Sequence, residues 1–184
     1  METRRTDVTT WYLEMLHPDE LRPAKAPLPA VEIMRAESPS PEFSRFLYTA
    51  VGGNWYWTLR LGWDYDAWLR YLDRPEVETW VAYADGTPAG YVELERQQED
   101  NVEIVYLGLL PRFIGRGIGG HLLTAGIRRA WALGARRVWV HTCSLDGPNA
   151  LPNYRARGLQ VYRESTEPRE LPLTLPGPWP GARS

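Results

Sequence analysis

Four glycines within six residues, Gly115-Arg116-Gly117-Ile118-Gly119-Gly120, are followed at once by apolar residues at helical spacing. Ile118, Leu122, Leu123, Ile127, Ala130 and Trp131 fall on one helical face until Gly134 offers a carboxyl-terminal cap, which predicts a helix of about four turns. A glycine loop opening a helix lets backbone N–H groups approach an anion that the helix dipole also favours. Any fold for this chain must therefore carry a strand, a tight loop and a helix here. The competing explanation is that the glycines only let helix and sheet pack closely.

The residues before the loop exclude the commonest fold with such a motif. Val77–Tyr83 and Gly90–Glu95 flank the turn-forming Asp85-Gly86-Thr87-Pro88, and Val102–Leu109 follows, so the middle of the chain reads as an antiparallel meander. Gly115, Gly117 and Gly120 satisfy G-x-G-x-x-G, the mark of a dinucleotide-dependent oxidoreductase on a Rossmann unit. There the glycine turn follows its strand directly, whereas Leu110-Pro111-Arg112-Phe113-Ile114 intervene here. A Walker loop fails because no lysine follows the glycines; Lys25 is the only lysine.

Strand formers at Thr10–Leu16 and Ala30–Arg35 predict two early strands separated by the proline-rich Pro23–Pro29, and short helices are expected over Pro41–Val51 and Asp64–Leu72. After the long helix come a strand over Arg137–Cys143, a short helix over Asn149–Arg157 and a strand over Leu159–Arg163. The fold class is α/β in the mixed α+β sense, with a meander followed by glycine loop, helix, strand, helix and strand. Prolines 168, 172, 176, 178 and 180 mark residues 168–184 as an extended tail, draped through Trp179, on a single domain of residues 1–167.

Charge is unevenly spread. The net charge is −2, yet no acidic residue lies between Glu103 and Asp146, where Arg112, Arg116, Arg128, Arg129, Arg136 and Arg137 stand. Fifteen basic against twenty-three acidic residues elsewhere give −8, so the arginine run suits a small polyanion better than nucleic acid. No apolar stretch approaches a membrane span or a signal peptide, which leads us to expect a cytoplasmic protein. Cys143 has no disulfide partner, and with His17, His121 and His141 it forms no metal-ligand spacing, so no metal is expected.

Leu107-Gly108-Leu109-Leu110-Pro111 and Arg116-Gly117-Ile118-Gly119-Gly120-His121-Leu122-Leu123 resemble the acetyl-CoA-binding motif of the GNAT superfamily of N-acetyltransferases. The order of elements agrees over roughly Val77–Arg163. The resemblance implies that the amides of Gly115–Gly120 hold the CoA pyrophosphate, and that Leu107, Gly108 and Leu109 present backbone groups to the pantetheine arm and thioester carbonyl. Ile114 stands where that family usually has Gln or Arg, and Arg112 or Arg116 is expected to replace the contact.

Transfer from a thioester to an amine needs a neutral amine, stabilisation of the oxyanion and a proton for the thiolate. Glu103, on a strand resembling the one that bears the base in the histone-acetylating branch, is the expected general base; alternation places it on the face of Val105, Leu107 and Leu109. Tyr154 stands where many members carry the tyrosine that protonates the CoA thiolate, and His141 is an auxiliary base. A nucleophilic pair of His141 and Cys143 lacks an orienting third group. Asn149 and Asn153 either contact the pantetheine or cap their helix. Trp55 and Trp57, among Trp55, Trp57, Trp63 and Trp68, are candidates for an aromatic acceptor pocket, with core or homodimer contact as the competing reading. The expected function is direct acetyl transfer from acetyl-CoA to a primary amine of a small molecule or peptide. A silent CoA-binding module on the same fold is the further alternative.

Overall fold

The computed structural model describes residues 2–179. One seven-stranded sheet organises the chain: β1 (Thr3–Met15), β2 (Glu32–Arg35), β3 (Val77–Ala84), β4 (Thr87–Arg96), β5 (Asn101–Leu109), β6 (Arg137–Cys143) and β7 (Gln160–Pro172), in the spatial order β2-β3-β4-β5-β6-β1-β7. Four α-helices accompany it: α1 (Pro41–Gly52), α2 (Tyr65–Leu72), α3 (Ile118–Ala132) and α4 (Ala150–Ala156). Among the described residues only the β5–β6 contact is parallel; the other strand pairs are antiparallel, which removes the Rossmann alternative.

Local chemistry explains most boundaries. Ser40 accepts a hydrogen bond from the Phe43 amide and Pro41 follows it, starting α1; Asp64 does the same for Ala67 at the head of α2. Asp85 and Gly86, both at positive φ, close the β3–β4 hairpin in two residues. Gly134 at φ +85° follows α3 as predicted. Gly119 and Gly120, expected in the loop, instead lie in the first turn of α3.

β1 and β7 are longer than predicted. β1 starts at Thr3, and β7 continues through Pro168 to Pro172 because the two form one antiparallel ribbon from Thr3↔Pro172 to Glu14↔Gln160. β7 is an edge strand, and an edge tolerates proline where its missing N–H would face outward. Beyond it the chain touches the body through the Gly177 amide on the Gly53 carbonyl; Trp179, expected to make that contact, is exposed.

Two cores lie on opposite faces. The larger joins Leu122, Leu123 and Ile127 of α3 with Leu13, Val92, Ile104 and Val140 of the sheet. The smaller joins Leu47 and Val51 of α1 with Val81 and Tyr91. Val105 is an extra residue on β5: Glu93 opposes Tyr106, but Leu94 opposes Ile104. This bulge reverses alternation. Ile104 and then Leu107 and Leu109 pack toward α3, so Glu103 and Tyr106 belong to the α1 face, and the expectation that Glu103 shares a face with Leu107 and Leu109 is corrected.

Candidate active site

β5 and β6 pair only from Asn101↔Arg137 to Glu103↔Trp139 and then diverge, leaving the rest of β5 without a strand partner on that edge among the described residues. A cleft of about 1130 Å³ opens from the divergence. Leu107, Gly108 and Leu109 form one wall, and Gly115, Gly117, Gly119 and Gly120 lie at one end. Gly117 is the N-cap of α3 at φ +77° with no side-chain cap, and no acidic residue occupies the first turn. A Cβ at Gly115 or Gly117 would meet open space, so no neighbouring side chain crowds these two positions. A helix start of this kind, free of side-chain caps and acidic residues, is one at which backbone N–H groups can meet an anion.

The predicted side chains divide into those at the cleft and those that are not. Asn149 and Asn153 line it, and Asn149 makes no capping hydrogen bond, so the capping role is not the one its side chain plays. Ile118 is buried in the core and only its backbone is at the helix start. The Arg116 guanidinium rests 5.5 Å from the Phe113 ring centroid, and neither it nor Arg112 is among the cleft-lining residues, whereas Ile114 is. Nor does the arginine run gather at the glycines. Arg129 is bound to Glu78 (2.8 Å), Arg137 to Glu14 (2.6 Å) and Arg136 approaches Asp100 (3.9 Å), acidic partners contributed by other parts of the chain.

Tyr154 is buried to 5% exposure yet borders the cleft. Burial first, and then the Asp146 carboxylate, raise its phenol well above the ordinary range, so it keeps its proton. Asp146 is fixed by the Thr142 hydroxyl (2.6 Å) and the Cys143 amide (2.9 Å), both donating to the same oxygen. Burial and that carboxylate also push the Cys143 thiol up, which removes thiolate and with it the nucleophilic pair with His141.

Glu103 and His141 adjoin across β5 and β6, with Oε1 3.4 Å from Nδ1. His141 lines the cleft and its side chain is 49% exposed; the Glu103 side chain is 11% exposed and is not among the lining residues. The carboxylate thus lies behind the imidazole. Its other oxygen accepts from Gln97 Nε2 at 2.7 Å, and Gln97 Oε1 accepts from the Trp139 indole at 3.0 Å. Spacing along the sequence does not bring Gln97 to attention, because its proximity to Glu103 arises from the β4–β5 turn.

Aromatic side chains also line the cleft. Trp55, Tyr56 and Trp57 line it with Tyr12 and Tyr106. Trp55 packs on the Gly147 side, and the Trp57 ring lies tilted against Tyr106 and Tyr48, with centroids 4.7 and 5.6 Å away, so Trp57 belongs to both the smaller core and the cleft. Trp63 and Trp68 do not line it: with Tyr71 they enclose Arg60, which is 5% exposed and holds the 2% exposed Glu93 through two hydrogen bonds of 3.0 and 2.8 Å. Burial alone would loosen the Arg60 proton, but Glu93 more than reverses this.

No helix of the described residues is long and apolar enough to cross a membrane, and no three metal-ligating side chains gather among them. Mycothiol acetyltransferase of Corynebacterium aurimucosum is 34% identical over 86 residues, 45% of this chain and 28% of that protein. A GCN5-related N-acetyltransferase from Kribbella flavida superposes with a TM-score of 0.65 at 18% identity, over 91% of this chain and 60% of that one. Another from Sphaerobacter thermophilus gives 0.64 at 19%, over 95% and 54%. The chain thus spans little more than a quarter of that curated relative and somewhat over half of these solved chains. Members of the acetyltransferase (GNAT) family use acetyl-CoA in general, in keeping with an anion cradle beside a splayed strand pair. The family profile matches residues 36–159, from the approach to α1 through the glycine loop to the start of β7, and the chain belongs to the acetyltransferase (GNAT) family.

Proposed function

We propose that the chain is an N-acetyltransferase that takes its acetyl group from acetyl-CoA and delivers it directly to a primary amine of a small molecule or peptide. The observation that carries this reading is the continuity of one cleft, from the uncapped start of α3 along Leu107–Leu109 to His141, Tyr154 and the aromatic side chains. Amides of Gly115–Gly120 would hold the pyrophosphate, the free edge of Leu107–Leu109 the pantetheine arm, and Asn149 and Asn153 its polar groups. When bound, acetyl-CoA supplies an acetyl group already activated as a thioester.

His141 Nε2 takes the amine proton, and Glu103, at Nδ1, holds the tautomer that leaves Nε2 free and stabilises the imidazolium that forms. Glu103, expected to act directly, acts in this reading through His141, because the imidazole stands between the carboxylate and the cleft. Tyr154 keeps its proton at Oη, available to a thiolate at the cleft. Trp55 and Trp57 form the acceptor wall. Calorimetric titration with acetyl-CoA, with NAD and NADP in parallel, tests the reading. Binding of acetyl-CoA alone is expected; binding of a dinucleotide alone would overturn it. In an amine screen, Trp55→Ala is expected to raise the acceptor KM in a folded protein, and an unchanged KM would remove Trp55 from the acceptor wall.

A further inference from the structure

We infer that Gln97 is a positioning residue that sets the tautomer of His141 through Glu103; this rests on the reading of His141 as the proton acceptor. Gln97 follows β4 and opens the turn to β5, its backbone amide donating to the Asn101 carbonyl at 2.7 Å. Within that turn Glu99 and Asp100 both adopt the left-handed conformation, at φ +58° and +55°. Two consecutive non-glycine residues there cost on the order of 1 kcal/mol or more each, and such strain persists only where surrounding contacts impose it. The contacts are present: the Asp100 carbonyl accepts from the Arg136 amide at 2.8 Å, tying the turn to the start of β6, and the Asn101 side chain donates to the Gln98 carbonyl at 2.8 Å. This tight turn sends the Gln97 side chain across β5 to β6.

The orientation of the Gln97 amide follows from donor chemistry. An indole N–H can only donate, so the group facing Trp139 must be the amide oxygen and the group facing Glu103 must be the NH₂. Glu103 Oε2 is thereby occupied, and Oε1 is left toward His141 Nδ1. A carboxylate accepts only, so it selects the imidazole with hydrogen on Nδ1 and leaves the Nε2 lone pair for the cleft. Trp139 and Tyr12 flank the ring with centroids 6.1 Å away on both sides. Trp139 donates to Gln97 and Gln97 to Glu103, while His141 faces the same carboxylate from the cleft side, so the polar contacts converge on Glu103.

The test uses the full chain as Gln97→Leu, which keeps the bulk and removes both hydrogen bonds. Nitrogen-15 NMR of the His141 ring, at a pH where the imidazole is neutral, reads the tautomer without any substrate. The wild type is expected to be mainly Nδ1–H and Gln97→Leu a mixture. In parallel, kcat is expected to fall about tenfold with acceptor KM within about twofold, a fraction of the 10²–10⁴ that positioned proton transfer is worth. An unchanged ring spectrum in folded Gln97→Leu overturns the inference. If that variant does not fold, Gln97→Glu keeps the acceptor for Trp139 and replaces the donor with a second carboxylate, and the same spectrum decides. Full activity in His141→Gln would defeat the base reading alone, since the ring spectrum of wild type and Gln97→Leu does not depend on turnover.

Discussion

Glu103→Gln, His141→Gln and the double variant form a cycle that tests whether the carboxylate acts through the imidazole. At the observed 3.4 Å, opposite unit charges attract by ~1 kcal/mol at the permittivity of water and ~5 kcal/mol at an effective value of 20. With the His141 side chain half exposed and Glu103 largely covered, a value in the lower half of that range applies, about 1.5–3 kcal/mol. Glu103→Gln is therefore expected to lower kcat by about ten- to hundredfold, and His141→Gln by the 10²- to 10³-fold of a lost base. If one group serves the other, the double variant falls no further than His141→Gln, because there is no imidazolium left to stabilise. The assay is thiol release at saturating acetyl-CoA and amine, with folding checked by far-ultraviolet circular dichroism. Multiplying losses in the double variant would show two independent groups and refute the arrangement.

Three further outcomes are expected. Glu93→Gln leaves the buried Arg60 charge without its counter-ion and should cost about 3–5 kcal/mol in urea unfolding; a loss under about 1 kcal/mol would mean that the pair is solvated. Burial would raise Glu78, but Arg129, Trp80 and Arg35 together hold it below its ordinary 4.5, so its stabilisation is complete above that value and is lost as pH falls through the lower folded value. The Tm gap between wild type and Glu78→Gln should accordingly close as pH falls below 4.5, and a constant gap would contradict the linkage. Gly117→Ala meets no neighbour but imposes a side chain at φ +77°, so it should cost about 1–2 kcal/mol and weaken acetyl-CoA in calorimetry; undiminished affinity would remove the glycine cradle from the binding site.

What the sequence discloses follows the range over which each structural cause acts. The β3–β4 hairpin is legible because Asp85 and Gly86 create their own turn, and α3 because six apolar residues repeat within one helix. The lengths of β1 and β7 are not legible, since Thr3–Asp7 is polar and mostly exposed, and its partner Pro168–Pro172 lies at the far end of the chain. The glycine loop, Leu107–Leu109 and Tyr154 fall at one cleft because the order of elements that singles them out in the sequence survives misjudged boundaries. The side on which Glu103 lies is misread because a bulge at Val105 has no local signature and strict alternation carries past it. Gln97 and Arg60 are missed for a related reason: each stands in an irregular segment, and its partner is chosen by the sheet.

The bulge also lets one strand turn different side chains to its two faces. Before it, Glu103 faces the side of α1, with His141 and Trp139 beside it; after it, Leu107 and Leu109 turn toward α3 and support the glycine end. Leu109 Cδ1 would touch a Cβ at Gly119, 3.6 Å away, so the strand seats the very turn that carries the cradle. The reversed parity places Gly108 on the α1 side, where any side chain would collide with Val51, and Trp57 is close behind. Glycine at 108 thus lets α1 and the aromatic wall approach the strand at the point where Leu107–Leu109 has lost its neighbour. A strictly alternating strand would put Glu103 and Leu107 on one face and displace either the carboxylate from His141 or the leucines from α3. The extra residue, costly to sheet pairing by itself, is what allows the face that carries Glu103 and the face that packs Leu107 and Leu109 on α3 to share β5.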